Sequence, residues 1–405
     1  MLLFLTACAS IFAISAIASS RLLETERPQL ALTLYPLNAE ALINDTVATL
    51  GRQDGDVPLE QMERAVRAAV PLNAGDARIY SLLGEILRRR GQDEAAYAMF
   101  DHALVLASTE IHALQWSIQH AVEAGDYRRA AQQLDAMFRR WPERIGPIAA
   151  AVPGVFSDAA GYEALLDLVR ATPPWRSRLL GELSGDAAGD AGFAARLLQD
   201  LAVGPSPPTP AETARLLAGL FKRKQYDLAY RTFLLTLAPQ EKDLSGYVFD
   251  GGFRQAPSGR RFDWTVRQQP GVTLTLPSGD GRSPSGEGLA LEFNETPVLR
   301  IGVEQYVLLP PGAYELEVKA TAVAADLPKS LLWSLDCIDP GQPVLRADVP
   351  AGDYRDRILR YSFSIPQNCP AQVLSLRTKA VAESWSNRYS GRILFHHIRI
   401  SAAQT

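Results

Sequence analysis

The chain has 405 residues, 47% of them hydrophobic and 21% charged, a composition that suits two or three domains with separate cores and excludes extensive disorder. With 41 basic against 45 acidic residues the net charge is -4, so no broad cationic surface exists to neutralise phosphates and nucleic acid is excluded as an expected partner. The short basic runs at 88–90 and 222–224 read as solvated helix ends.

The first stretch, "LLFLTACASIFAISAIASS" from Leu2 to Ser20, carries no charge before Arg21 and approaches the roughly 20 apolar residues that cross a bilayer. A cleaved signal peptide would open with Lys or Arg, which this one lacks. Residues 1–20 are therefore expected to form either a signal segment or, as the missing basic residue favours, a retained apolar helix anchoring the chain to an inner membrane, with the bulk in the periplasm. "LTAC" at 5–8 also has the form of a lipoprotein cleavage box ending in Cys8.

Residues 21–244 read as helical. Tyr80, Leu83, Gly84, Leu87, Gly91, Ala96, Phe100 and Ala103 set out a pattern of small and large residues, and Gly125 and Ala130 repeat Gly91 and Ala96 after 34 residues. Gly84 and Ala96 let paired helices approach, Tyr80 and Phe100 fill the space between them, and Gly91 and Gly125 release the chain at turns. This pattern resembles tetratricopeptide repeats. Residues 36–76 read as a preceding hairpin with a lengthened turn, and 211–240 as a later one with Ala229 and Phe233 in the small and large positions. Between them, 143–210 is broken by Pro153, "TPPW" (172–175) and "VGPSPPTP" (203–210), and reads as atypical hairpins continuing the stack. The resemblance implies an α-solenoid whose concave face holds a protein partner; a plain structural spacer is the alternative.

After Leu244 the period changes to alternation. Nine short strands are predicted, at 261–267, 271–277, 289–295, 304–310, 314–322, 331–337, 358–366, 371–380 and 393–401, separated by Gly, Pro and Asp turns. Such spacing predicts an antiparallel sandwich or jelly roll over 245–405. Cys337 and Cys369 fall at strand ends, where they either pair in an oxidising compartment or remain two buried thiols.

The order of these pieces, with "FDGGF" (249–253) as an opening strand, "FDW" (262–264), "VLLPPGAYELEV" (307–318) and "ILFHHIRI" (393–400), resembles the galactose-binding-like jelly roll of carbohydrate-binding modules. Members of that group often hold a structural calcium. Here Arg254 follows the opening motif, and His396 and His397 stand where acids would be expected, so no calcium is predicted. By the resemblance, exposed aromatic residues would stack on sugar rings. Trp264 and Trp333, within alternating strands, read as core. Trp385 and Tyr389, in the "AESWSNRYSG" loop with Asn387 and Arg388, are the glycan-contact candidates, against the alternative of aromatics covering the core edge.

Catalytic chemistry is not indicated. His102, His112, His120, His396 and His397 form no metal-ligand spacing, and His396 and His397, as neighbours in a strand, should point to opposite faces. The glycine-rich stretch 278–288 lacks the Lys-Ser/Thr of a phosphate loop. Among Asp263, Glu292, Glu304 and Glu315 nothing singles out a catalytic pair. No cofactor is implied.

The arrangement resembles membrane-anchored bacterial tetratricopeptide proteins of envelope polysaccharide pathways. It implies a non-enzymatic scaffold whose array binds a protein of exopolysaccharide synthesis or export and whose sandwich contacts glycan or protein. The alternatives are a polysaccharide lyase or hydrolase with a jelly-roll domain, and a structural adaptor without glycan affinity in which Trp385 and Tyr389 would be buried.

Overall fold

The computed structural model describes residues 2–51, 58–185, 190–277, 288–339, 341–378 and 387–403, with the backbone alone for residues 2–9 and 72. The chain divides into two compact units, Met1–Trp175 and Arg176–Thr405. The division falls inside the stretch that reads as one continuous array, so the last helices belong with the strands.

The first unit contains α1 (Leu2–Leu23), α2 (Pro28–Leu34), α3 (Ala39–Leu50), α4 (Leu59–Ala69), α5 (Ala77–Arg89), α6 (Asp93–Leu106), α7 (Ile111–Glu123), α8 (Tyr127–Arg140), α9 (Ile145–Ala149), α10 (Val152–Val155) and α11 (Ala159–Arg170). Helix starts are set by side chains that accept otherwise orphaned amides: Asn38 from Ala41, Asp76 from Arg78, Glu110 from Ala113 and Asp126 from Arg129. Gly91 and Gly125 turn the chain after α5 and α7 at φ +73 and +71, where a side chain would be strained.

The pairing of α5 with α6 depends on one contact. A Cβ built on Gly84 would lie 2.6 Å from the Phe100 ring, so the absent side chain is what admits the aromatic. Ala96, Phe100 and Ala103 are sealed from solvent, Leu83 is buried beside them, and Tyr80 packs edge-on against His102 at 4.4 Å. In the following pair Ala130, Leu134, Met137 and Phe138 are buried, and Phe138 meets Trp175 edge-on at 5.2 Å.

The membrane-spanning helix expected over residues 1–20 is not supported. Among the described residues no helix is long and apolar enough to cross a membrane. Helix α1 runs over 22 residues, Leu2–Leu23. Its last turn is also tied into the helical packing: the buried Ser20 hydroxyl donates to Ala31 O at 2.8 Å and accepts from Asn38 Nδ2 at 3.0 Å, and Asn44 Nδ2 donates to Glu24 O.

The second unit begins with α12 (Arg176–Leu183), α13 (Ala191–Ala202), α14 (Pro210–Lys222) and α15 (Tyr226–Leu235). A buried ion pair joins Arg176 to Glu212 at 3.1 Å, and Glu212 also accepts from Ser177 Oγ and the Thr209 amide in a capping box. Burial works to raise the Glu212 carboxyl, but these donors and the Arg176 charge outweigh it and hold the carboxyl below its ordinary value.

Ten strands follow among the described residues: β1 (Thr265–Val266), β2 (Val272–Thr275), β3 (Leu289–Thr296), β4 (Val303–Val307), β5 (Gly312–Asp326), β6 (Leu331–Cys337), β7 (Pro343–Val349), β8 (Gly352–Ile365), β9 (Gln372–Thr378) and β10 (Tyr389–Ala402). They form two antiparallel five-stranded sheets, ordered β1-β4-β9-β6-β7 and β2-β3-β10-β5-β8, around one shared core. Trp264 and Trp333 lie in that core 5.9 Å apart, edge to face, and Trp333 continues the contact to Phe395 at 5.4 Å. Strand β7 was not predicted; it opens on Pro343 at a sheet edge, where a missing amide costs no ladder bond.

The stretch "FDGGFRQAPSGRRFDW" (249–264) does not open with a strand. Asp250 and Phe253 have φ of +43 and +55, which turns the chain. The Asp250 carboxylate accepts from the amides of Arg254 and Gln255, both at 2.9 Å, and Trp264 Nε1 donates to Asp250 O. Burial pushes the Asp250 carboxyl up, with the two amides pulling it partly back. The end of the stretch carries Phe262, whose ring meets Phe221 at 5.3 Å, Tyr230 at 5.0 Å and Phe233 at 5.5 Å. Arg260 lies over Phe233 and donates to Glu241 at 3.1 Å. The motif is thus the joint between the last helical hairpin and the sandwich.

Cys337, at the end of β6, and Cys369 are joined by a disulfide with a sequence separation of 32.

Two stability measurements test this packing. Gly84→Ala should lower unfolding free energy by about 1–3 kcal/mol through overpacking against Phe100; Gly91→Ala should cost about 1 kcal/mol from backbone strain alone, and urea titration compares the two. Replacing Cys337 and Cys369 by Ala should cost about 3–4 kcal/mol by loop-closure entropy, read as a thermal shift that reductant produces in the parent chain and not in the variant.

Candidate functional sites

In the first unit, α3, α5 and α7 line a groove of about 820 Å³. Ile43, Val47, Leu82 and Trp116 give it an apolar floor, and its walls are charged side chains already matched to one another. Arg78 forms ion pairs with Glu40 and Asp76, both at 2.8 Å, which hold its guanidinium well above the ordinary value. Glu85 is gripped by Arg88 at 3.0 Å and Arg89 at 2.7 Å; although burial raises its carboxyl, these two cations bring it below the usual range. Arg88 also lies 4.0 Å from the centre of the Trp116 ring, and Glu110 accepts from Ser81. The groove therefore offers apolar surface inside a rim of fixed, neutralised pairs. That is suited to holding an extended or helical peptide segment.

In the second unit the sequence-predicted glycan residues are described only in part. Trp385 lies outside the described residues, as do residues 278–287 of the glycine-rich stretch. Asn387 is half-buried and Arg388 exposed. Tyr389 requires correction as a solvent-facing residue: it is fully buried, packs on Phe293 at 5.5 Å, and its hydroxyl lies 3.4 Å from Ser330 O. It is the first residue of β10 and faces the core, so burial pushes its phenol up to about 12 and its ring face is closed to a sugar.

The outer face of the β1-β4-β9-β6-β7 sheet carries a polar network instead. Asp336 of β6 accepts from Ser334 Oγ at 2.7 Å and pairs with Arg346 at 2.7 Å and Arg377 at 2.9 Å. Ser334 is sealed beneath them, while both guanidinium groups stay about half-exposed. One buried carboxylate thus holds two planar donor groups in place on a sheet face.

The two adjacent histidines of β10 also depart from expectation. A bulge between Phe395 and His397 breaks the alternation, so both rings lie on the outer face of the β2-β3-β10-β5-β8 sheet. His396 Nε2 meets Thr321 Oγ1 at 2.8 Å, and His397 Nε2 meets Glu317 at 3.1 Å. They serve different partners, and among the described residues no group of three or more His, Cys, Asp or Glu is placed to hold a metal ion.

Tyr389→Ala should behave as a core truncation, costing about 3–5 kcal/mol in urea unfolding. An exposed binding residue would instead leave stability within about 0.5 kcal/mol.

No family model matches the sequence, and no curated protein matches it. Among solved structures, the chain is similar to a tetratricopeptide repeat protein from Parabacteroides merdae, with 13% identity and a TM-score of 0.28 over 57% of this chain and 96% of that one. It is similar to the structure described as "CBM4 structure and function", with 13% identity and a TM-score of 0.29 over 38% of this chain and 99% of that one. A third is the CBM22-1 xylan-binding domain from Paenibacillus barcinonensis Xyn10C, at 14% identity and a TM-score of 0.25 over 38% of this chain and 93% of that one. Likenesses of this size identify neither a ligand nor a partner.

Proposed function

We propose that the chain is a non-enzymatic adaptor of the cell envelope, acting in polysaccharide synthesis or export, whose helical unit holds a protein segment and whose sandwich contacts glycan. The observation that carries the first half is the groove of α3, α5 and α7, with its apolar floor and self-neutralised rim. A peptide entering it would bury apolar surface while leaving the ion pairs of the rim intact. The disulfide between Cys337 and Cys369 supports an oxidising, extracytoplasmic location, since such bonds persist poorly in a reducing cytoplasm.

The polar network on Arg346 and Arg377 supports polymer contact by the sandwich. One observation favours a second reading, a sandwich that is a purely structural or protein-contact module: Tyr389, chosen from sequence as a sugar platform, is closed inside the core.

A photo-crosslinking residue at Val47, in the groove, should give a discrete protein adduct in cells, and one at the exposed Val105 of α6 should not. Adding Gln115→Arg should remove the Val47 adduct by filling the groove. Equal adducts from both positions, or an adduct indifferent to Gln115→Arg, would refute the groove as the docking site.

A further inference from the structure

A second cleft, of about 910 Å³, opens between α15, the segment 243–254 and the end of β10. It holds a partly exposed aromatic ring with two exposed cations beside it. Tyr247 stands 37% exposed and is braced edge-on by Tyr314 at 5.5 Å. Arg254 and Arg399 line the same cleft, with side chains 61% and 67% exposed.

Among the described residues two acidic side chains line the cleft, Glu317 and the exposed Asp243, and Glu317 is already committed. Glu317 accepts twice from Arg360, at 3.0 and 2.9 Å, and meets His397 at 3.1 Å; these contacts, His397 first, hold its carboxyl below the usual value. Arg399 reaches it only at 3.5 Å. Glu315 lies 3.6 Å from Arg360. The Asp250 carboxylate is taken by two backbone amides and lies 3.8 Å from Arg254, which gives one donor to Asp243 O at 3.2 Å. Each guanidinium has five N–H donors, so most of those on Arg254 and Arg399 remain for a ligand. Three of the roughly four lone pairs of Glu317 are taken by Arg360 and His397, which leaves two exposed guanidinium groups to set the character of the cleft beside the one exposed carboxylate of Asp243. Planar cations matched to a carboxylate, beside an aromatic face matched to a ring, fit an acidic saccharide.

We propose that this cleft binds a carboxylate-bearing saccharide, a uronic acid unit of an acidic polysaccharide, with Tyr247 against the ring and Arg254 and Arg399 on the carboxylate. The inference rests on the reading of the sandwich as a glycan-contacting module and names its site and ligand class.

The test is calorimetry on the full chain with oligogalacturonate and oligomannuronate, their neutral galactose and mannose counterparts, and inorganic phosphate. Oligouronate should bind more tightly than the neutral sugars and phosphate, and added salt should weaken it. Arg254→Gln with Arg399→Gln, and separately Tyr247→Ala, should each raise Kd about tenfold or more. Arg355→Gln, a 91% exposed cation of β8 that does not line the cleft, should leave Kd unchanged, and Arg346→Gln with Arg377→Gln, in the network on the other sheet, is measured alongside. All three residues replaced in the cleft are exposed, and circular dichroism checks that each variant is folded. Equal affinity for neutral sugars or for phosphate overturns the ligand class. Loss only in the Arg346 and Arg377 variant overturns the site while the glycan-contacting reading stands. Binding of no saccharide at all removes that reading and the inference together.

Discussion

The second unit depends on the packing of Phe221 and Phe233 around Phe262. Helix α14 supplies the first ring, α15 the second, and the motif ahead of β1 the third, so three segments far apart in sequence are fixed by one aromatic cluster. Offset and edge-on rings each add about 0.5–1.5 kcal/mol beyond the area they bury. Arg260 closes the cluster from above, its guanidinium against Phe233 and its charge met by Glu241, which meets the cost of burying an arginine there. With Phe262 held, the tight turn at Asp250 and the segment leading into it are held too, and that segment forms one wall of the cleft containing Tyr247.

The two surfaces use charge in opposite ways. In the groove of α3, α5 and α7, cations and carboxylates are matched to each other, so selectivity there falls to shape and apolar contact. In the cleft beside β10, one carboxylate is largely occupied by Arg360 and His397, and two exposed cations line the opening. A surface of the first kind tolerates varied peptide sequences, whereas one of the second kind discriminates by charge and responds to ionic strength.

Much of the architecture was legible because it is periodic. The 34-residue spacing of Gly91 with Gly125, and of Ala96 with Ala130, marks helical hairpins, and alternation after Leu244 marks strands. Features set by single residues or by distant partners were not. Strand β7 is hidden by its opening proline. "FDGGF" reads as extended until the positive φ of Asp250 and Phe253 is known. His396 and His397 share a face only because of a bulge that adds one residue to the strand. Tyr389 sits at the boundary between loop and strand, where one residue of register decides between solvent and core, and nothing in "AESWSNRYSG" fixes that register. The contacts of Glu317 come from Arg360 and His397, 43 and 80 residues away, which no local pattern reveals.

The sheet edges have a further consequence. The four edge strands are β1, β7, β2 and β8. Two of them, β1 and β2, are only 2 and 4 residues long, and β7 begins with Pro343. The long one, β8, carries Asp353, Arg355, Asp356, Arg357 and Arg360 along 14 residues. Another chain pairing with β8 would have to bring its own backbone alongside these charges, and the short edges offer too few free amides to nucleate a ladder. Copies gathered at high local density, as along a polymer, would remain separate molecules and not zip into a continuous sheet.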